Sequence, residues 1–227
     1  MSRPDIHCAL HKCAMWQNKP SFSLWKRLLH IVKYLSQTPH LGLIFVRPHK
    51  PFSPDQPILE ALCDASFATE PASRSRLGWF FFVGGGLVSW DTKVISRVVT
   101  SSTEAECHAL VQCGKENVFQ REFLSELGFW KNLGPTLVFQ DNTSAISLTN
   151  GTKCHKRSKH FGIEFEAFKQ YIELGEMRVE HRSTNTLAAD MLTKNLSSEK
   201  FCAFRDEVMG GKELQQHLID CFFLCSF

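Results

Sequence analysis

From Ser21 to Leu35 the apolar residues Phe22, Leu24, Trp25, Leu28, Leu29, Ile31, Val32 and Leu35 return at helical spacing, with Lys26, Arg27, His30 and Lys33 between them. This pattern predicts an amphipathic basic helix that stops before Pro39. Leu43 to Val46 follows as a short strand-like run, and the proline-bearing stretch 48–56 reads as a linker. Beyond it the period shortens to that of strands: 58–64 is one, 77–83 a second, and 87–90 with 94–99 a third region, with Gly84-Gly85-Gly86 as the turn. A long helix is expected over 103–127, a strand over 136–140, a short helix over 143–149 and a helix over 157–174. A last strand over 177–182 and a helix over roughly 185–209 complete the pattern, and the tail 210–227 matches no element. Strands and helices in this order make an α/β mixed sheet flanked by helices, preceded by a small, mostly helical N-terminal segment.

A chain of 227 residues with 43% hydrophobic and 22% charged positions has the composition of a globular protein, which excludes wholesale disorder and coiled coil. Neither an apolar run of 18 residues nor a basic-then-apolar leader is present, so a soluble intracellular protein is expected, with no membrane partner. The nine cysteines are odd in number and contain no C-x-x-C pair, so a disulfide framework or four-ligand zinc site is unsupported. Charge is uneven. Residues 1–50 carry eight Lys and Arg against the single acid Asp5, whereas residues 51–227 carry 18 against 22 acids. A basic front on a mildly acidic body suits a nucleic-acid track beside an acidic metal site, although an unevenly solvated surface gives the same count.

Four acids occupy positions of chemical interest: Asp64 near the end of the first strand, Glu106 in the first turn of the long helix, Asp141 directly after the fourth strand, and Asp190 in the final helix. Singly, each has a local explanation. Asp64 suits a turn, Asp141 a helix cap, Asp190 a solvated helix, and Glu106 stands in capping-box relation to Thr103, as Glu104 does to Ser101. Together, two strands ending in Asp beside a helix projecting Glu can converge four carboxylates, which repel unless cations bind between them. Two Mg²⁺ ions about 3.5–4 Å apart, or Mn²⁺ in their place, match such hard oxygen ligands.

The blocks LCDASFA (62–68), GWFFFVGGGLVSWDTK (78–93), SSTEAECHAL (101–110), FQDNTSAI (139–146), HKRSKHFGIEF (155–165) and STNTLAADMLTK (183–194) resemble, in order, the ribonuclease H domain of copia-type retrotransposon Pol polyproteins. SRPDI (2–6), Trp25 and HIVKYLSQTPHLGLIF (30–45) look like the stretch that closes the reverse transcriptase of the same elements. The resemblance implies a C-terminal reverse transcriptase remnant over 1–47 and a ribonuclease H-like fold over 57–209 with a five-stranded sheet. It further implies metal-dependent hydrolysis of the RNA strand of RNA–DNA hybrids, with two ions held by Asp64, Glu106, Asp141 and Asp190. Lys153, His155, Lys156, Arg157, Lys159 and Lys194 match family blocks whose cations track nucleic-acid phosphates. A reverse transcriptase supplied by another copy of the element is an implied partner.

Departures from the family pattern stand at Cys107, where a Tyr is expected, and at Gly162, Glu164 and Glu166, where polar or basic residues are expected. Ser183 and Thr184 replace a positioned histidine, with His181 two residues earlier. No Tyr-x-Asp-Asp hairpin, integrase core or protease motif is visible, so polymerase, integrase and protease activities are not expected. The alternatives to an enzyme are an inert relic that keeps the fold, or a module that binds nucleic acid or docks on a polymerase through the helix 21–35.

Overall fold

The computed structural model describes residues 2–45, 58–128, 133–151 and 159–210. The expected linker 48–56 and the tail beyond residue 210 lie outside them, as do Lys153, His155, Lys156 and Arg157. A 3₁₀ turn at Pro4–Ile6 leads into α1 (His7–Ala14) and α2 (Phe22–Gln37). Then come β1 (Leu59–Glu70), β2 (Arg74–Val83), β3 (Gly86–Val94) and α3 (Ser102–Glu126). β4 (Thr136–Gln140), α4 (Thr143–Asn150), α5 (Lys159–Glu173) and β5 (Met177–His181) follow, and α6 (Asp190–Thr193) and α7 (Ser198–Val208) end the fold.

The sheet has the order β3-β2-β1-β4-β5. β1, β2 and β3 pair antiparallel, joined between β2 and β3 by Gly84 and Gly85 at φ 57° and 83°, a region that β-branched or bulky residues would enter only under strain. β4 lies parallel to both β1 and β5, and such pairs need long crossovers, which α3 and the α4–α5 stretch supply. This is the ribonuclease H-like mixed five-stranded sheet flanked by helices that the resemblance implies.

Strand alternation divides the core into two. Cys63, Trp79 and Phe81 pack with Leu110 of α3 and with Phe165 and Phe168 of α5. Leu62 and Phe80 face the other way, against Leu187, Leu192 and Phe204. Burying a side chain of this size stabilises the fold by roughly 1.5–3 kcal/mol.

The helical front is seated on this body. Arg76 of β2, fully buried, donates to Glu70 (2.6 Å) and to Thr92 (3.1 Å), and its guanidinium also lies 3.1 Å from His11 Nδ1 of α1. His7 of α1 contacts Asp91 of β3 at 3.2 Å, and Ile44 N donates to Met209 O just after α7.

Several boundaries differ from the sequence pattern. β1 runs six residues past Asp64, the edge segment 95–99 leaves the sheet, and Leu43 to Phe45 forms no strand. The helix expected over 185–209 is broken in two: turns occupy 184–189, and Ser197 restarts the chain as the N-cap of α7 by accepting from Lys200 N (3.3 Å). α1 (His7–Ala14) is absent from the sequence pattern; it starts without a side-chain cap and mixes polar His7, His11 and Lys12 with small residues.

Candidate functional site

Asp64, Glu106 and Asp141 come together at one end of the sheet, each offering a carboxylate oxygen within 4.8 Å of the others. Asp64 is a fully buried residue within β1, opposite Gly78 of β2. A Cβ on Gly78 would stand 2.5 Å from Leu192 Cβ, so the glycine lets α6 settle directly over β1 and β2. Thr92 of β3 fixes α6 from below by donating to Leu192 O (2.7 Å).

The local alternatives for the other acids are taken up by their neighbours. Ser101 caps α3 by accepting from Glu104 N (3.1 Å), and Glu104 itself accepts from Thr100 N (2.8 Å) and Thr100 Oγ1 (2.9 Å). Glu106, two residues further on, is therefore not needed at the cap and is buried against the sheet end. After β4, Asn142 rather than Asp141 caps α4, accepting from Ala145 N at 2.9 Å. Asp141 is left to face the cluster and accepts from Thr184 Oγ1 (2.6 Å), one of the two residues standing where a histidine is expected.

Asp190 joins differently. It is buried at the start of α6, and both of its oxygens are held by lysines, Oδ1 by Lys194 Nζ (2.6 Å) and Oδ2 by Lys200 Nζ (2.9 Å). Lys194 Nζ also donates to Asp64 Oδ1 (3.0 Å), so one ammonium bridges Asp64 and Asp190. Thr193 Oγ1 donates to Asp64 Oδ2. Gln140 Nε2 donates to Glu106 Oε2 (3.2 Å).

The cluster strains against its own charge. Burial raises the Glu106 carboxyl to about 10, helped by the charges of Asp64 and Asp141. Burial likewise raises Asp64 to about 6, opposed by Lys194 and reinforced by Asp190. For Lys194, burial alone would lower the ammonium, but Asp64 and Asp190 outweigh it and the net shift is upward. Three carboxylates that cannot all ionise on their own, presenting only hard oxygen donors, have the chemistry of a divalent-metal site.

Of the expected phosphate contacts, Lys194 turns inward to the acids and Lys159 stands at the start of α5. Glu164 and Glu166 are exposed and paired, with Lys115 (3.0 Å) and Lys169 (3.6 Å). Cys107 is buried in the core of α3, and His181 is exposed at the end of β5. Sequence reasoning missed Gln140, Thr193 and Lys200 as neighbours of the acids. Gln140 and Thr193 each adjoin a residue already singled out, whereas Lys200 reaches the site only through the break between α6 and α7.

No protein-family model matches the chain. It is 32% identical over 201 residues, 88% of its length, to the retrovirus-related Pol polyprotein from transposon TNT 1-94 of Nicotiana tabacum. It is 30% identical over 208 residues to that from transposon RE2 of Arabidopsis thaliana, and 28% identical over 185 residues to the Ty1-JR1 Gag-Pol polyprotein of Saccharomyces cerevisiae. The chain spans 14% of the length of the two plant polyproteins and 10% of the yeast one. Among solved structures, the LC11 ribonuclease H1 isolated from compost is 15% identical, with a TM-score of 0.47 over 61% of this chain and 94% of that one. The N-terminal ribonuclease H domain of rv2228c from Mycobacterium tuberculosis is 14% identical, with a TM-score of 0.43 over 64% of this chain and 94% of that one. The chain is thus a homologue of a short stretch of the Pol polyproteins of copia- and Ty1-type retrotransposons.

Proposed function

We propose that the chain is a ribonuclease H module that hydrolyses the RNA strand of RNA–DNA hybrids with Mg²⁺ or Mn²⁺. The observation that carries this reading is the Asp64–Glu106–Asp141 triad, whose carboxylate oxygens lie within 4.8 Å of one another. A divalent ion held there would supply positive charge to a phosphodiester and lower the pKa of water. The chain's own groups do the rest. Gln140 holds Glu106, Thr184 holds Asp141, and Thr193 with Lys194 holds Asp64, so the ligands are oriented before any ion arrives. Glu106 must release its proton to bind, which ties metal affinity to pH.

The ammonium of Lys194 already places a positive charge between Asp64 and Asp190. Asp190 together with Asp64 would hold a second ion only where the Lys194 ammonium moved aside, and the displaced lysine would then be free to meet a substrate phosphate. Lys153, His155, Lys156, Arg157 and Lys159 would add further phosphate contacts, which are independent of sequence and weaken with salt. Residues 1–47 supply, on this reading, the end of a reverse transcriptase, and a polymerase from another copy of the element is the partner that would furnish hybrids.

Substrate choice tests the reading. Labelled RNA–DNA hybrid, duplex RNA, duplex DNA and single-stranded RNA are incubated in parallel with Mg²⁺. Cuts confined to the RNA strand of the hybrid are expected, because an RNA strand paired to DNA offers both the 2′-hydroxyl and a distinct helix shape. Equal cutting of single-stranded RNA would instead mark a general ribonuclease.

A further inference from the structure

Beside the acid cluster, α1 and α2 face the end of α6 across a groove of about 700 Å³. Its walls carry Lys12 from α1, Lys26, Arg27 and His30 from α2, and Lys194 and Asn195 from the end of α6. A second hollow of about 410 Å³ shares Lys12 and Arg27 with the first and adds Lys19 and Trp16. The two hollows adjoin at Lys12 and Arg27; the first is lined by the lysine that touches Asp64 and Asp190, the second by a tryptophan that is 42% exposed.

The path is positive because its acids are committed elsewhere. Asp5 is buried, taking Arg3 (2.8 Å) and the Tyr34 hydroxyl (2.8 Å), and Glu70 accepts from the buried Arg76 (2.6 Å). Lys12, Lys19, Lys26 and Arg27 have no ion-pair partner among the described residues, and Lys12 Nζ donates only to the neutral Asn195 (3.1 Å). Cations without a carboxylate partner, lining two adjoining hollows of which one also holds an exposed indole, combine the two features by which single strands are held, phosphate neutralisation and base stacking.

We propose that this groove binds a single strand of nucleic acid as it leaves the acid cluster, its phosphates along Lys12, Lys26 and Arg27 and a base stacked on Trp16. The inference rests on the ribonuclease H reading only for how the strand arrives. The helical front thereby gains a function of its own, since Arg76 and Thr92 connect α1 to α6, which carries Asp190.

The test is fluorescence anisotropy of a labelled oligonucleotide of about 12 nucleotides, within the size such sites cover, in EDTA across a salt series. The full chain is compared with Lys12→Gln/Arg27→Gln, Trp16→Ala and Trp16→Phe, while cleavage of a blunt hybrid is followed separately with Mg²⁺. The charge variant is expected to lower the slope of log affinity against log salt by about 1.4, as two lost phosphate contacts would. Trp16→Ala is expected to weaken binding at least about 5-fold, with Trp16→Phe restoring most of it. Blunt-hybrid cleavage should be unchanged in all three. Absence of binding by the unaltered chain, or equal binding by the variants, overturns the groove. So does tighter binding of duplex than of single strand, which would make the path a duplex track. Competition by poly-glutamate as strong as by the oligonucleotide also overturns it, marking a surface for an acidic protein. Oligonucleotide binding without hybrid cleavage upholds the groove and sinks the ribonuclease reading, whereas cleavage without binding does the reverse.

Discussion

Replacing Lys194 by Met keeps the aliphatic stem and removes the ammonium that bridges Asp64 and Asp190. Both carboxylates are buried, at 0% and 1% exposure, while the lysine side chain is 32% exposed. Stripping one partner from a buried ion pair typically costs about 3–5 kcal/mol. Here Lys200 still holds Asp190 and Thr193 still holds Asp64, and water reaches the lysine end, so about 2–3 kcal/mol is expected in the absence of metal. For a chain of this size that is a fall in melting temperature of roughly 5–10 °C. Thermal unfolding in EDTA at neutral pH measures it. Lys115→Met, which breaks an ion pair whose side chains are 54% and 47% exposed, is the control and should shift melting little. Asp64→Asn combined with Lys194→Met should recover much of the loss, since the stranded charge is then gone. Saturating Mn²⁺ should narrow the gap by neutralising Asp64 from the triad side. The reasoning is refuted if Lys194→Met melts with the unaltered chain in EDTA, or if Asp64→Asn rescues none of the loss.

Glu106, raised from 4.5 to about 10, binds its proton more tightly folded than unfolded, so the stability it contributes is full below pH 4.5 and is lost as pH rises toward 10. Between pH 7 and 8.5 the metal-free chain should lose stability in denaturant melts, and Glu106→Gln should flatten that slope. Gly78→Ala puts a Cβ 2.5 Å from Leu192 Cβ, so α6 must shift; a loss of about 1–3 kcal/mol in urea unfolding is expected, with slower hybrid cleavage because Asp190 and Lys194 ride on α6. Arg76→Met strands the carboxylate of Glu70 and removes one of the contacts holding α1 on the sheet, leaving His7–Asp91, with a cost of about 3–5 kcal/mol and new proteolytic cuts near residues 15–20 as the readout.

How much of this was legible in the chain depends on the range of the cause. The sheet and α3 follow from periodicity, and Glu106 and Asp141 stand as expected near the start of a helix and just after a strand, whereas Asp64, expected near a strand end, lies within β1. Their local alternatives could not be dismissed from sequence, because deciding between Glu104 and Glu106, or between Asp141 and Asn142, as the capping residue needs the position of the first helical turn. Lys194 is the case where local reading falls short. It reads as a surface cation in Leu-Thr-Lys, yet it folds back because α6 ends after four residues, over a glycine whose missing side chain admits it. The break at 194–197 holds no proline or glycine and is marked only by the N-cap serine Ser197, so the apolar periodicity alone runs through it. α1 is likewise stabilised by tertiary contacts, through Arg76 and Asp91, and not by its own periodicity.

The central claim is that the carboxylate triad makes this chain a metal-dependent nuclease for hybrids. The direct measurement is cleavage of an RNA–DNA hybrid labelled on the RNA strand, with Mg²⁺, with Mn²⁺ and with EDTA, using the unaltered chain, Asp64→Asn and Asp141→Asn, each verified as folded by its thermal melt. RNA cuts with either metal, none in EDTA and none from the two variants are the predicted result. A folded, unaltered chain that leaves the RNA strand intact under both metals, or an Asp141→Asn variant that cuts as fast as the unaltered one, would contradict it.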